Sequence, residues 1–216
     1  MFENKRNYQR ELDLLIEKNQ REGKVPTLFL HACCAPCSSY CLEYLSQYFK
    51  ITVVFYNPNI TESQEYEYRL NEEKRLIAEM DFKHPVSIIE GEYNPDVFFG
   101  IAKGLEDAPE RGSRCLKCFE QRLLYTAKLA KEHDADFFAT TLTLSPLKNA
   151  VAINTIGERI ATELDTPYLC TDFKKKGGYL RSIELSKLHN LYRQNFCGCI
   201  YSRQRVSHPQ GDSAFV

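Results

Sequence analysis

The sequence predicts an α/β fold, a mostly parallel sheet flanked by helices. Two patterns carry this: short apolar, β-branched runs recur along the chain, and each is followed by an amphipathic stretch of helical length. At 216 residues and 43% hydrophobic content the chain is large enough for one sizeable core.

Residues 1–24 are predicted as an extra amphipathic helix, with Tyr8, Leu12, Leu15 and Ile16 on one side, laid outside a single α/β domain spanning 25–205. A tail, 206–216, follows. "TLFLHA" is the first strand and leads into "CCAPCSSYCLEYLSQYF", where Cys41, Tyr44, Leu45 and Tyr48 recur at helical spacing and Pro36 suits a first helical turn. "ITVVFYNPN" is a second buried strand ending in an Asn/Pro turn. Residues 62–80 form a helix with Tyr66, Leu70, Ile77 and Met80 on one side, and "VSIIEGEY" is a third strand. After a loop bearing "EDAPERGSR", residues 118–132 carry Phe119, Leu123, Ala127 and Ala130 as a helical stripe. "ADFFATTLTLS" is a strand and its exit loop, 149–164 a helix, and "TPYLCTDF" a last strand.

Parallel sheets gather functional residues beyond the carboxyl ends of their strands. Cys33, Cys34 and Cys37 follow the first strand, Asn57 and Asn59 the second, and Thr140 to Lys148 a later one, so all are expected at one mouth.

No apolar run approaches the roughly 18 residues needed to span a membrane, and the N-terminus is charged where a signal peptide is hydrophobic. A cytoplasmic protein is expected. Thiols stay reduced there, so nine cysteines point to metal or redox chemistry rather than a disulfide framework.

The cysteines are grouped: "HACCAPC", "RCLKC" and "FCGC", with Cys41 and Cys170 apart. Cys115 and Cys118 have the C-x2-C spacing that lets two thiolates bind one metal or two irons of one cluster. With Cys34 and Cys37 they make a four-thiolate set that a structural zinc would fill, but Cys33 is then unused. "CAPC" alone reads as a thioredoxin-like dithiol at a helix N-terminus, which leaves "RCLKC" without a role. The preferred reading is an iron-sulfur cluster drawing on Cys33, Cys34, Cys115 and Cys118. The Cys197–Gly198–Cys199 unit is short enough to close a strained, easily reduced disulfide and reads as an electron relay; further ligands or inert thiols are the alternative. Cys41 and Cys170 are expected to act as small hydrophobes. His31 reads first as a packed core histidine, with proton transfer as its functional reading.

The formal net charge is −1, which gives no global case for nucleic acid. Residues 171–208, however, carry eight Lys/Arg against two acids, interleaved with Phe173, Tyr179, Tyr192, Phe196 and Tyr201. Cations for phosphates and rings for unpaired bases suit looped RNA; a solvated face over core aromatics is the plain alternative. Lys174, Lys175, Lys176, Tyr192 and Arg193 are the candidate contacts here, with Asn57 and Lys148 outside the segment. No glycine-rich nucleotide fingerprint is present.

On these blocks the chain resembles the epoxyqueuosine reductase family of the QueH type. The matching stretches are "LHACCAPCSSY", "FYNPNI", "EYEYR", "GEY", "RCLKCFEQRL", "FFATTLTLSPLKN" and "FKKKGGYLRSIELSKLHNLYRQNFCGC", in family order over roughly 27–202. The resemblance implies a fold similar to adenine-nucleotide hydrolase and PP-loop proteins without their ATP signature. It implies a [4Fe-4S] cluster on Cys33, Cys34, Cys115 and Cys118, a redox-active disulfide between Cys197 and Cys199, and an additional iron or other metal beside the cluster. The implied substrate is tRNA carrying epoxyqueuosine at the wobble position. Some members of the family have Asp where this chain has Cys37, which makes that position a softer metal ligand here. A zinc-stabilised RNA-binding or tRNA-thiolation protein is the competing class. The electron donor is left unnamed.

Overall fold

The computed structural model describes residues 6–207, so residues 1–5 of the expected N-terminal extension and 208–216 of the tail lie outside it. Four strands, β1 (Thr27–His31), β2 (Lys50–Phe55), β3 (Val86–Glu90) and β4 (Phe137–Thr140), form one sheet in the order β3-β2-β1-β4. Every pairing is parallel, with Thr27 opposite Lys50, Ile51 opposite Val86 and Leu28 opposite Phe137.

The strands read as continuous apolar runs because both faces are covered. Leu28, Leu30, Ile51 and Val53 point to one side, where they meet Leu12 and Ile16 of α1 (Tyr8–Arg21) and Cys41, Leu42 and Leu45 of α2 (Ala35–Leu45). Phe29, Val54 and Phe138 point to the other, against Phe119, Leu123 and Ala127 of α5 (Ser113–Glu132) and Ile153 and Ile160 of α6 (Ala150–Leu164). The N-terminal helix therefore packs into the same core as the sheet. α3 (Ser63–Glu79) joins β2 to β3, and the shorter α4 (Pro95–Ala102), α7 (Gly178–Leu188) and α8 (Ile200–Ser207) complete the element order. Among the described residues no helix is long and apolar enough to cross a membrane.

The expected elements and the observed ones differ at three places. The helix expected from residue 118 starts at Ser113, because Gly112 closes a turn onto Pro109 O (3.0 Å) and the helix follows at once. Cys115 and Cys118 thus lie in its first turns. The last strand is reduced to a single parallel bridge between Phe138 and Tyr168. Pro167 has no N–H to give, and the Asn154 side chain takes both the N–H and the carbonyl of Thr171 (3.1 and 2.9 Å), replacing a ladder partner. Third, α4, α7 and α8 occupy stretches in which the sequence pattern predicts no helix.

α7 is seated tightly on the first helix after the thiol loop. A Cβ on Gly178 would lie 2.1 Å from Phe173 O and 2.4 Å from a ring carbon of Tyr40. Gly178→Ala is therefore expected to cost about 1–3 kcal/mol or more, because backbone has to move. Thermal denaturation should show a Tm lower by several degrees.

Candidate active site

β1 and β4 lie side by side, but the chain leaves them toward opposite ends of the sheet, which opens a crevice beyond their carboxyl ends. The loop after β1 fills it. Ala32 N donates to Val54 O (3.0 Å) and the Asn57 amide donates to Ala32 O (2.8 Å), so the "YNPN" turn holds the loop from below. Cys34 caps α2 in an extended conformation and Pro36 occupies the first turn. This brings the sulfurs of Cys33, Cys34 and Cys37 within 4.8 Å of one another.

The start of α5 supplies a second wall. Arg111, in the left-handed region at φ 69°, turns its N–H toward Cys115 Sγ (3.3 Å). Cys118, one turn further, is buried. Arg114 ties this wall to the preceding loop by donating to Leu105 O and Glu106 O (both 2.8 Å), and its guanidinium lies 4.3 Å from the Tyr201 ring.

The segment between α7 and α8 supplies the third. Cys197 and Cys199 place their sulfurs 3.4 Å apart. Gly198 sits at φ +109°, and a Cβ there would come within 2.8 Å of Ile60, so this dithiol needs its glycine twice over. Seven thiols, from Cys33, Cys34, Cys37, Cys115, Cys118, Cys197 and Cys199, line one cavity of about 390 Å³.

The cavity is strongly cationic. Arg69, Arg111, Arg114, Arg122, Lys148 and Arg193 line it, and among the described residues Glu110 is the sole acid beside them. Arg122 is buried, bonds Cys118 O (3.2 Å) and Asn57 Oδ1 (3.5 Å), and has no carboxylate partner among the described residues. Hydrogen bonds from Cys34 and Cys37 hold the Cys33 thiol well below its ordinary range, and the Lys148 charge adds to this. Burial pushes Cys118 up to about 11. The Cys199 thiol, donating to Cys197, lowers the Cys197 pKa. For Lys148, burial works against the charged form, but Cys33 and Cys37 outweigh it and its pKa rises. Soft sulfur donors inside a ring of cations fit a thiolate-held metal, whose negative charge would answer the unpaired Arg122.

Of the residues singled out from sequence, the seven thiols, Asn59, Lys148, Tyr179, Arg193 and Phe196 line this cavity. The other candidates are placed elsewhere. His31 is fully buried in β1, with Nδ1 against Thr140 Oγ1 (3.0 Å) and Nε2 against Tyr56 O (3.3 Å). Burial, with the Arg122 charge behind it, pushes its pKa down to about 3, so the ring is neutral and is not part of the cavity wall. Asn57 is buried beneath the loop. Tyr192 directs its hydroxyl to Glu65. Lys174 bonds Thr143 O (3.0 Å) and Asp172 (2.9 Å), Lys176 pairs with Asp13 (2.7 Å), and Lys175 is exposed. Acids also meet two further basic residues of this segment: Arg181 binds Glu43 of α2 and Glu184 of its own helix, and Arg203 binds Glu62. Four of the eight cations in the run that reads as a basic patch, Lys174, Lys176, Arg181 and Arg203, are thus met by acids. Cys41 is buried as expected, whereas Cys170 is only half-buried and its sulfur accepts from Arg6 (3.8 Å).

Sequence reasoning passed over Arg69 and Arg122. Each lies on a helix where arginine ordinarily marks the solvated face, yet each is at most 4% exposed. For Arg122 the available signal was positional: it follows Cys118 by one helical turn.

A family profile described as "Epoxyqueuosine reductase QueH" matches residues 28–205. A protein named epoxyqueuosine reductase QueH from Staphylococcus epidermidis is 43% identical over 209 residues, covering 95% of this chain and 88% of its own. Its namesakes from Streptococcus pyogenes and Staphylococcus aureus are 41% and 42% identical, covering 91% and 94% of this chain and 78% and 86% of theirs. The structure of NMN synthetase from Francisella tularensis aligns with 97% of this chain and 96% of its own at TM-score 0.40 and 12% identity, too distant to carry an argument. The profile reaches from β1 through the Cys197–Cys199 pair and so takes in all three walls of the cavity; the chain belongs to the epoxyqueuosine reductase QueH family.

Proposed function

We propose that this chain removes the epoxide oxygen of epoxyqueuosine at the wobble position of a tRNA anticodon, giving queuosine. The observation that carries the proposal is the meeting of seven thiols from three distant segments in one cationic cavity at the sheet's switch point. Cys33, Cys34, Cys115 and Cys118 are assigned to hold a [4Fe-4S] cluster, and Cys37, the third sulfur of the trio, to hold any additional metal. When bound, these centres supply single-electron transfer and a Lewis-acidic site for oxygen.

The chain's own residues supply the rest. Deoxygenation breaks both C–O bonds of the epoxide, forms a C=C bond and releases water, which consumes two electrons and two protons. The Cys197/Cys199 dithiol gives that number of each on closing to a disulfide, so the thiols balance the reaction once per turnover; an external electron donor then reopens the disulfide. Lys148 faces the sulfurs with no hydrogen-bond or ion-pair partner on its ammonium among the described residues, and it is placed to donate a hydrogen bond to the departing oxygen. Arg193, exposed at the cavity wall with Nη1 on Ser186 Oγ (3.0 Å), and Lys175 are the remaining candidates for the RNA backbone. His31 and Asn57 act through the loop they support.

The test is anaerobic incubation of the iron-loaded protein with epoxyqueuosine-containing tRNA and a chemical reductant, followed by nucleoside mass analysis. Conversion to a product one oxygen lighter is expected. Protein that carries one zinc, no sulfide and no conversion would favour the competing class of RNA-binding protein instead.

A further inference from the structure

One side of α3 carries Glu65, Arg69, Glu72 and Arg75, spaced three or four residues apart, and all four engage the segment that ends in the dithiol. At the far end, Arg75 donates to His189 O (3.0 and 3.1 Å) and Asn190 O (3.4 Å). Glu72 accepts from Tyr192 N (3.0 Å) and Glu65 from the Tyr192 hydroxyl (3.3 Å). At the near end, Arg69 donates from Nη1 to Cys197 O (3.2 Å) and from Nη2 to Phe196 O (3.3 Å). Asn59 donates to the same Cys197 carbonyl (3.3 Å), and Thr61 N to Gly198 O (3.2 Å). The segment is held mainly through its backbone, which leaves the two cysteine side chains unencumbered by the clamp.

Arg69 is the member that does not belong on a solvated helix face. It is 2% exposed, its Nε is fixed by Glu65 Oε1 (2.7 Å), and the Phe196 ring lies 5.1 Å from its guanidinium. Burying an arginine is costly, and nothing in the packing of α3 itself calls for it. Its planar fork can bind one carboxylate and two successive carbonyls at once, which a lysine cannot do. It also lines the cavity, on whose wall Cys33, Cys34 and Cys37 lie as well.

We propose that Arg69 is the positioning residue of the redox dithiol, holding the carbonyls of Phe196 and Cys197 so that Cys197 and Cys199 stay paired beside the other thiols. The inference rests on the reading of Cys197 and Cys199 as the electron-storing pair. Closing that pair forms one S–S bond and releases two electrons and two protons to the substrate side; Arg69 takes part in neither transfer. It fixes where the sulfurs are when they react.

The experiment compares iron-loaded wild type with Arg69→Lys and with the milder Asn59→Ala, which removes one donor from the same carbonyl without leaving a buried charge unpaired. Four quantities are read: iron per chain, Tm, the dithiol-to-disulfide ratio at residues 197 and 199 in dithiothreitol redox buffers, and the anaerobic single-turnover rate. Iron per chain is expected to stay at the wild-type level in both variants. The single-turnover rate is expected to fall about 10- to 100-fold in Arg69→Lys and less in Asn59→Ala, the scale typical of a lost outer-shell contact. The redox ratio should shift in the same order. A lower Tm with wild-type redox ratio and wild-type rate per folded molecule would show Arg69 to be structural only and overturn the proposal. Wild-type protein that converts substrate without ever forming the 197–199 disulfide would instead overturn the reading beneath it.

Discussion

Cys118→Ala is expected to strip the protein of bound iron and of activity together, while a Cys197→Ala, Cys199→Ala double variant keeps its iron and drops to background turnover. The two outcomes follow from where the sulfurs sit. Cys118 is buried on the first turns of α5, and burial holds its thiol up at about 11, so it is a poor free thiolate and needs a bound cation to ionise. Removing it takes away one of the ligands assigned to the cluster, and a cluster short of a thiolate is not retained. Cys197 and Cys199 are engaged with each other at 3.4 Å and are carried on a separate wall clamped by α3. Their loss removes the two-electron store without touching the loop after β1 or the start of α5. Iron and sulfide analysis beside nucleoside mass analysis would read both. If the double variant also lost its iron, the pair would be ligands and the division of labour proposed here would fall.

Glu73→Gln is expected to make the protein more stable above pH 8 and to flatten its stability between pH 5 and 8. Glu73 lies on α3 with zero exposure, and neither carboxyl oxygen has a hydrogen-bond partner among the described residues. Burial pushes its pKa up from the ordinary 4.5 to about 8. In the unfolded chain the group loses its proton near 4.5, whereas in the folded protein it keeps it until about 8. The folded state therefore binds the extra proton, and stability falls as pH rises through that window, then levels off. The penalty at high pH is on the order of several kcal/mol. Glutamine mimics the protonated acid, so the variant should match wild type near pH 5 and exceed it at pH 9. Denaturant midpoints at the two pH values would decide the matter; identical slopes in both proteins would mean that Glu73 is charged in the fold.

The sheet and the thiol cup were legible in the sequence because their signals are local. "TLFLHA" followed by "CCAPC" marks a strand running into a helix, and parallel topology then places Cys33, Cys34 and Cys37 at the mouth. The direction in which a given side chain leaves that mouth is not local. His31 and Asn57 adjoin strand ends as Cys33 does, yet both turn inward to hold backbone, because buried polar groups must find partners there. The basic run after Asp172 is only partly free for a related reason: Asp13, Glu43 and Glu62, which meet three of its cations, come from far earlier in the chain, and composition within a window cannot see them. Arg69 was invisible on the same ground. Its carbonyl partners lie more than 120 residues away, at Phe196 and Cys197.

That separation has a bearing on how the protein is made. Synthesis delivers β1, α3 and α5 well before the stretch that Arg69 grips, so a nascent chain can gather five sulfurs while the sixth and seventh are still inside the ribosome. The third wall, which carries the other two sulfurs, can close on the first two only afterwards.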